Sequence, residues 1–229
     1  MIDSQFLWTL ALGIYVFAVA YLTRIPYRMM VARGVEPIRA VYYTRKIVHM
    51  AGAGVPTLFV PVVYTDFWYP MLGGLVVGAM LFIAHVSRRR LYWFQIEENQ
   101  NDVSFALMWW MSLAVLWWLL DDPWLAILPG LFMSFGDGVT GVVRNYFIRH
   151  RSKHVVGNVC MAIVSVPLAW VVASQADPAL PWWGVIAALL ASVVERYEFG
   201  PIDDNVLIAI ASILILLVGS SVGPLGGLN

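Results

Sequence analysis

"PWLAILPGLFMSFGDGVTGVVRN", residues 123–145, decides how the fold is read. This run of 23 residues carries only two charges, Asp137 and Arg144. A membrane-spanning helix takes about 20 mostly apolar residues, so the run is long enough to cross. The rest of the chain makes the same point. Of 229 residues, 61% are hydrophobic and 12% charged, and the mean hydropathy is +0.76. A soluble domain of that length has too much surface to hide so much apolar side chain. We therefore expect an all-α, polytopic integral membrane protein with about eight transmembrane helices in one bundle. It reads as a single transmembrane domain over residues 1–229. Its apolar segments cover about 4–23, 46–64, 67–86, 102–120, 123–145, 155–174, 181–197 and 204–223. The one cysteine, Cys160, leaves no internal disulfide and no thiolate metal cluster. The first segment follows the acidic start "MIDSQ" and precedes its arginines, the reverse of a secretory signal peptide.

The basic residues set an orientation. Arg24, Arg28, Arg33, Arg39, Arg45 and Lys46 follow the first segment, and Arg88, Arg89 and Arg90 the third. Arg144, Arg149, Arg151 and Lys153 follow the fifth, and Arg196 the seventh. With eight spans, all 14 Lys and Arg residues fall on one side. The positive-inside rule makes that side cytosolic and puts both termini on the opposite face. Asp3, Asp66, Asp121, Asp122 and Asp177 lie on the opposite face, near tryptophans such as Trp8, Trp68 and Trp182 that fit an interfacial belt.

Four polar blocks then fall at cytosolic ends of spans: "RKIVH" (45–49), "GDGVTG" (136–141), "SKHVVGN" (152–158) and "ERYEFGPIDDN" (195–205). A carboxylate, cations and glycine-permitted backbone at one place make the chemistry of a phosphate site. Asp137 lies within a span, where ionisable groups are costly and face a bundle interior or a watered cavity. Gly130, Ser134, Asp137, Gly141 and Arg144 form one small or polar stripe. Asp137 either binds Mg²⁺ carried by a nucleotide or pairs with Arg144 or Arg45 beneath a small-residue helix contact. Arg45, Lys46 and His49 can share a helical face. The two cations then hold phosphate and His49 donates or accepts a proton, or the cations anchor the span and His49 is a core histidine. Lys153 before Gly157 and Asn158 places a point charge and backbone N–H groups at a helix entrance. There is no Walker A loop. Asp203 or Asp204 caps the last helix. One cap leaves the remaining carboxylates, with Glu195 and Asn205, converging on the face of Asp137, where a divalent cation would relieve their repulsion.

Taken in order, the four blocks resemble the CTP-dependent polyprenol kinase family, which includes dolichol and phytol kinases. The matching residues are Arg45-Lys46-Ile47-Val48-His49, then Gly136-Asp137 with Gly138 and Gly141. Lys153 with Gly157-Asn158 follows, and last Glu195 with Asp203-Asp204-Asn205. The chain departs from the family at Gly138, often alanine there, at His154, commonly Ser or Thr, and at Val156, often Glu. The resemblance implies transfer of the γ-phosphate of CTP to the hydroxyl of a membrane isoprenoid alcohol. It implies Mg²⁺ held by Asp137 with Asp203, Asp204 and Asn205, and a triphosphate held by Lys153, Gly157, Asn158, Arg45 and Lys46 with the glycine block. Asp137, His49 and Glu195 are then the catalytic candidates. The expected partners are cytosolic nucleoside triphosphate, the isoprenoid alcohol and the bilayer, and no nucleic acid. A CTP-dependent cytidylyltransferase is the alternative, disfavoured because the chain has no HGG or DR pair. A lipid transporter or scaffold ranks lower, because the polar groups favour one face and no inverted repeat is seen.

Overall fold

A computed structural model describes residues 3–97, 99–148, 154–200 and 202–225. The chain forms helices throughout, with no strand among the described residues; Phe199 and Ile202 form only an isolated bridge. Helix α1 (Ser4–Leu22) runs on into α2 (Arg24–Ala32). Helix α3 (Pro37–Ile47), a π-helical stretch (Val48–Gly54) and α4 (Val55–Val63) form one run. Then come α5 (Trp68–Val86) and α6 (Asn101–Leu120). Helix α7 (Pro123–Leu131), a second π-helical stretch (Phe132–Gly136) and α8 (Asp137–Ile148) form another run, followed by α9 (Val155–Ala173), α10 (Pro181–Val194) and α11 (Asp204–Val222).

Aspartates start several of these helices, because a carboxylate satisfies the open N–H groups of a first turn. Asp3 accepts from Gln5 N–H at 3.0 Å, Asp122 from Leu125 at 2.9 Å and Asp203 from Val206 at 3.1 Å. Pro123 and Pro181 occupy first-turn positions, where a missing N–H costs nothing. Pro56 lacks the N–H that an α-helix would direct at the Gly52 carbonyl, and the run widens to π geometry just before it. The two π-helical stretches meet where Gly54 has no side chain: a Cβ there would lie 2.7 Å from Phe135 Cζ.

Among the described residues, seven helical runs are long and apolar enough to cross a membrane: Ser4–Ala32, Pro37–Val63, Trp68–Val86, Asn101–Leu120, Pro123–Tyr146, Val155–Ala173 and Asp204–Val222. The expected eighth, over 181–197, is α10, with 14 residues. At 1.5 Å per residue it spans about 21 Å, short of a hydrocarbon core of about 30 Å. Pro181 starts it and the turn at Glu195–Tyr197 ends it, so its apolar run is cut at both ends. The segment expected over 46–64 begins nine residues sooner, at Pro37, because α3 carries its basic residues on a helix continuous with the apolar part.

The quoted run is the centre of the bundle. In Pro123–Tyr146, 78% of the most apolar stretch is buried, against 6% in Ser4–Ala32. Around it pack α4, α6 and α9, with α10 and α11 closing the far side. Helix α1 buries none of its own side chains, and Ile14, Val62, Val171 and Val222 are all more than 60% exposed. So broad an apolar outer surface suits hydrocarbon better than water, which is consistent with an integral membrane protein.

Candidate functional site

The site begins where α8 begins. Asp137 is its first residue, 4% exposed, directly after the second π-helical stretch. The Lys46 ammonium donates to Asp137 Oδ2 at 2.6 Å. Lys46 comes from the last turn of α3 and is itself 5% exposed. Its side chain reaches Asp137 by crossing Gly141, one turn along α8. A Cβ at Gly141 would collide with Lys46 Cε and lie 2.6 Å from the Tyr42 hydroxyl oxygen. The small stripe thus serves a lysine crossing: of the partners weighed for Asp137, neither Arg144 nor Arg45 takes that place.

Arg144, two turns further along α8, serves a second buried pair. Its Nη1 and Nη2 donate to Glu195 Oε1 and Oε2 at 2.7 and 2.8 Å. Nη2 also donates to Asn158 Oδ1 at 3.2 Å and Nε to the His154 carbonyl at 3.1 Å. Such a fork of charge-assisted bonds fixes the guanidinium plane. Asn158 in turn donates to the Ser192 carbonyl and, at 3.4 Å, to Glu195 Oε2. Gly157 makes the fork possible: a Cβ there would collide with Arg144 Nε and lie 2.6 Å from Cζ. Its N–H donates to the His154 carbonyl at 3.0 Å, and its carbonyl accepts from the Thr140 hydroxyl at 3.0 Å. Gly157→Ala is therefore expected to force the guanidinium off Glu195 and to lower the unfolding free energy by about 2 kcal/mol, the usual scale for overpacking. A fall in the melting midpoint of the purified protein in detergent checks this; an unchanged midpoint would show that the fork moves freely.

The two pairs meet at Asp204. Carboxylate oxygens of Asp137, Glu195 and Asp204 lie within 4.8 Å of one another, brought together from the starts of α8 and α11 and the C-cap of α10. Within this group Lys46 pairs with Asp137 and Arg144 with Glu195. Hard oxygen donors so grouped fit Mg²⁺, which typically takes one or two carboxylates and completes its shell with water and phosphate oxygens. Asn205, next to Asp204 in the chain, keeps a buried Oδ1 with no hydrogen-bond partner among the described residues.

Other candidates stand apart. Asp203 caps α11 and also accepts from the Ser104 hydroxyl and from Asn205 Nδ2, the latter at 3.2 Å. Burial pushes its carboxyl up, against the downward pull of Ser104. Asn205 Nδ2 also reaches the Asn101 carbonyl at 3.3 Å. Arg45 donates to Asn99 Oδ1 at 3.2 Å and lies over the Tyr42 ring, not in the carboxylate group. Gly136 and Gly138 face Ser165 and Met50. Lys153 lies outside the described residues, as do Arg149 and Arg151.

His49, one turn beyond Lys46, faces elsewhere. Its ring stacks on Phe105 with centroids 4.0 Å apart, and its Nδ1 is buried without a partner among the described residues. It lines a cavity of 510 Å³ enclosed by α1, the first π-helical stretch, α4, α5 and α6. The walls are almost wholly apolar, from Thr9, Tyr64 and Pro70 at one end to Tyr21, Ala84, His49 and Asp102 at the other. Along α5, Pro70 to Ala84 gives a length of about 21 Å at 1.5 Å per residue. The sequence offers a signal for this cavity only in its glycines: Gly13, Gly52, Gly73 and Gly74 line it. The role of Arg144 as the partner of Glu195 was likewise missed, although its place on the stripe of Asp137 pointed inward. Comparison of the chain with protein-family models, curated proteins and solved structures finds no match to any of them.

Proposed function

We propose that the chain is an integral membrane lipid kinase that transfers the γ-phosphate of a nucleoside triphosphate to the hydroxyl of an isoprenoid alcohol. CTP is the donor that its motif resemblance implies. One observation carries the reading: a largely buried group of carboxylates and a lysine lies one helical turn from an apolar cavity about 21 Å long. Lys46 belongs to the first and His49 to the second. Phosphoryl transfer to a lipid needs both, since the nucleotide comes from water and the acceptor from the bilayer.

Asp137, Glu195 and Asp204 would hold a magnesium ion, which when bound supplies positive charge to the phosphate oxygens. Lys46 adds a fixed cation beside Asp137 and neutralises phosphate charge as it develops. Arg144 holds Glu195 in place through two hydrogen bonds, so that this carboxylate does not drift as charge enters the site. The cavity walls exclude water from the acceptor chain. By the distribution of its basic residues the site would face the cytosol with both termini opposite, an orientation that requires the short α10 to complete an eighth crossing.

The test is phosphate transfer by purified protein in detergent, with γ-labelled CTP and ATP offered separately to a panel of isoprenoid alcohols, with and without Mg²⁺. Label in a lipid monophosphate is the expected result and names the donor. If folded protein labels no lipid, the kinase reading fails. If α-labelled CTP and a phospholipid acid then give a CDP-lipid, a cytidylyltransferase takes its place.

A further inference from the structure

The first turn of α6 lies between the start of α11 and the cavity. On one side, the Asn101 carbonyl and the Ser104 hydroxyl contact Asn205 and Asp203. On the other side, Asp102 and Phe105, one turn apart on one helix face, line the cavity. Asp102 is 3% exposed. Its Oδ2 accepts from Gln95 Nε2, and Gln95 is itself fixed because its Oε1 accepts the Leu91 N–H at 2.8 Å. Its Oδ1 is buried with no hydrogen-bond partner among the described residues. A buried carboxylate oxygen without a donor is costly, and a ligand donor removes the cost. Asp102 belongs to the polar end of an otherwise apolar cavity, which Arg89 also lines and where the His49 ring lies stacked on Phe105. A long apolar chain ending in a hydrogen-bond donor satisfies both features.

We propose that Asp102 Oδ1 accepts the hydroxyl of a lipid alcohol whose chain fills this cavity, and that Asp102 takes the hydroxyl proton during transfer. The second half rests on the kinase reading. In that step the O–H proton moves to the Asp102 carboxylate while the alcohol oxygen forms a bond to the γ-phosphorus. The bond from that phosphorus to the bridging oxygen breaks, and the nucleoside diphosphate leaves with its electron pair.

Binding and transfer are measured separately on the full chain in lipid nanodiscs. The binding probes are labelled geranylgeraniol and its methyl ether, which keeps the chain and loses the donor. Wild-type protein is expected to bind the alcohol at least about tenfold more tightly than the ether. Asp102→Leu is expected to bind the two alike while binding the ether as wild type does, which also shows that the cavity is intact. An equal affinity in wild type, or a preference kept by Asp102→Leu, overturns the acceptor role. Asp102→Asn keeps an acceptor oxygen and a partner for Gln95 but cannot take a proton. At saturating alcohol it is expected to transfer phosphate at least about 100-fold more slowly, with nucleotide affinity unchanged. A wild-type rate in Asp102→Asn overturns the proton role. Should wild-type protein phosphorylate no alcohol from either nucleotide, the kinase reading and the proton role fall together, and the binding arm still decides whether Asp102 holds the hydroxyl.

Discussion

Asp137→Asn is expected to slow phosphate transfer by about 1,000-fold, on the scale of losing one fixed electrostatic group from a transfer site. The substitution keeps a hydrogen-bond acceptor 2.6 Å from Lys46 and removes the charge. It therefore separates two jobs that the carboxylate does. The first is structural: Lys46 is buried, and leaving a buried charge unpaired costs about 3–5 kcal/mol. The second is chemical: Asp137 is one of three oxygen donors at the site. The double variant Lys46→Met with Asp137→Leu distinguishes them. Removing both members of a buried pair is often neutral for stability, so the double variant is expected to melt near wild type yet transfer no phosphate. If Asp137→Asn keeps both the wild-type rate and its Mg²⁺ dependence, the metal role is wrong and the pair is structural only.

Arg144→Met is expected to cause the largest loss of stability, about 3–5 kcal/mol, because it removes both guanidinium bonds from Glu195, a carboxylate at 1% exposure. It also withdraws donors from Asn158 and from the His154 carbonyl, loosening α9 where it meets α8 and α10. The measurement is a thermal scan of the purified protein followed by tryptophan fluorescence. Arg144→Met combined with Glu195→Leu should recover most of the loss, since both members of the buried pair are then removed together. A single variant that melts with wild type would show that water or another cation reaches Glu195. The two predictions also differ in kind. Loss at Asp137 is read in the rate, and loss at Arg144 in the folded fraction.

Much of the architecture was legible because it is written in local composition. Membrane-length apolar runs reveal themselves by length alone, and seven of the eight expected segments are helices of that class. Helix starts were visible at Asp203, where a short acceptor side chain precedes an apolar run. The exception, α10, shows the limit of such reading: hydropathy averaged over a window does not register that Pro181 and the turn after Val194 shorten the helix itself. The stripe of Gly130, Ser134, Asp137, Gly141 and Arg144 was legible too, as spacing on one helix.

What crosses the stripe was decided only in three dimensions. Lys46 and Asp137 are 91 residues apart, and Arg144 and Glu195 are 51 apart. Residue types named several cations that could meet each carboxylate, but only helix packing chooses among them. That choice turns on sub-ångström room: at Gly141 and Gly157 a single added carbon would collide with the arriving side chain. The same holds for Asp203 and Asp204, adjacent in sequence, of which one caps α11 and the other joins Asp137 and Glu195. Asp102 reads in the sequence as the polar start of a span. Its orphaned oxygen is apparent only once α1, α5 and the first π-helical stretch enclose a cavity beside it. Composition and periodicity are properties of neighbours along the chain, so the sequence by itself determined the helices and their polar ends. Partners and cavities are properties of surfaces brought together across the chain, and those only the tertiary structure decided.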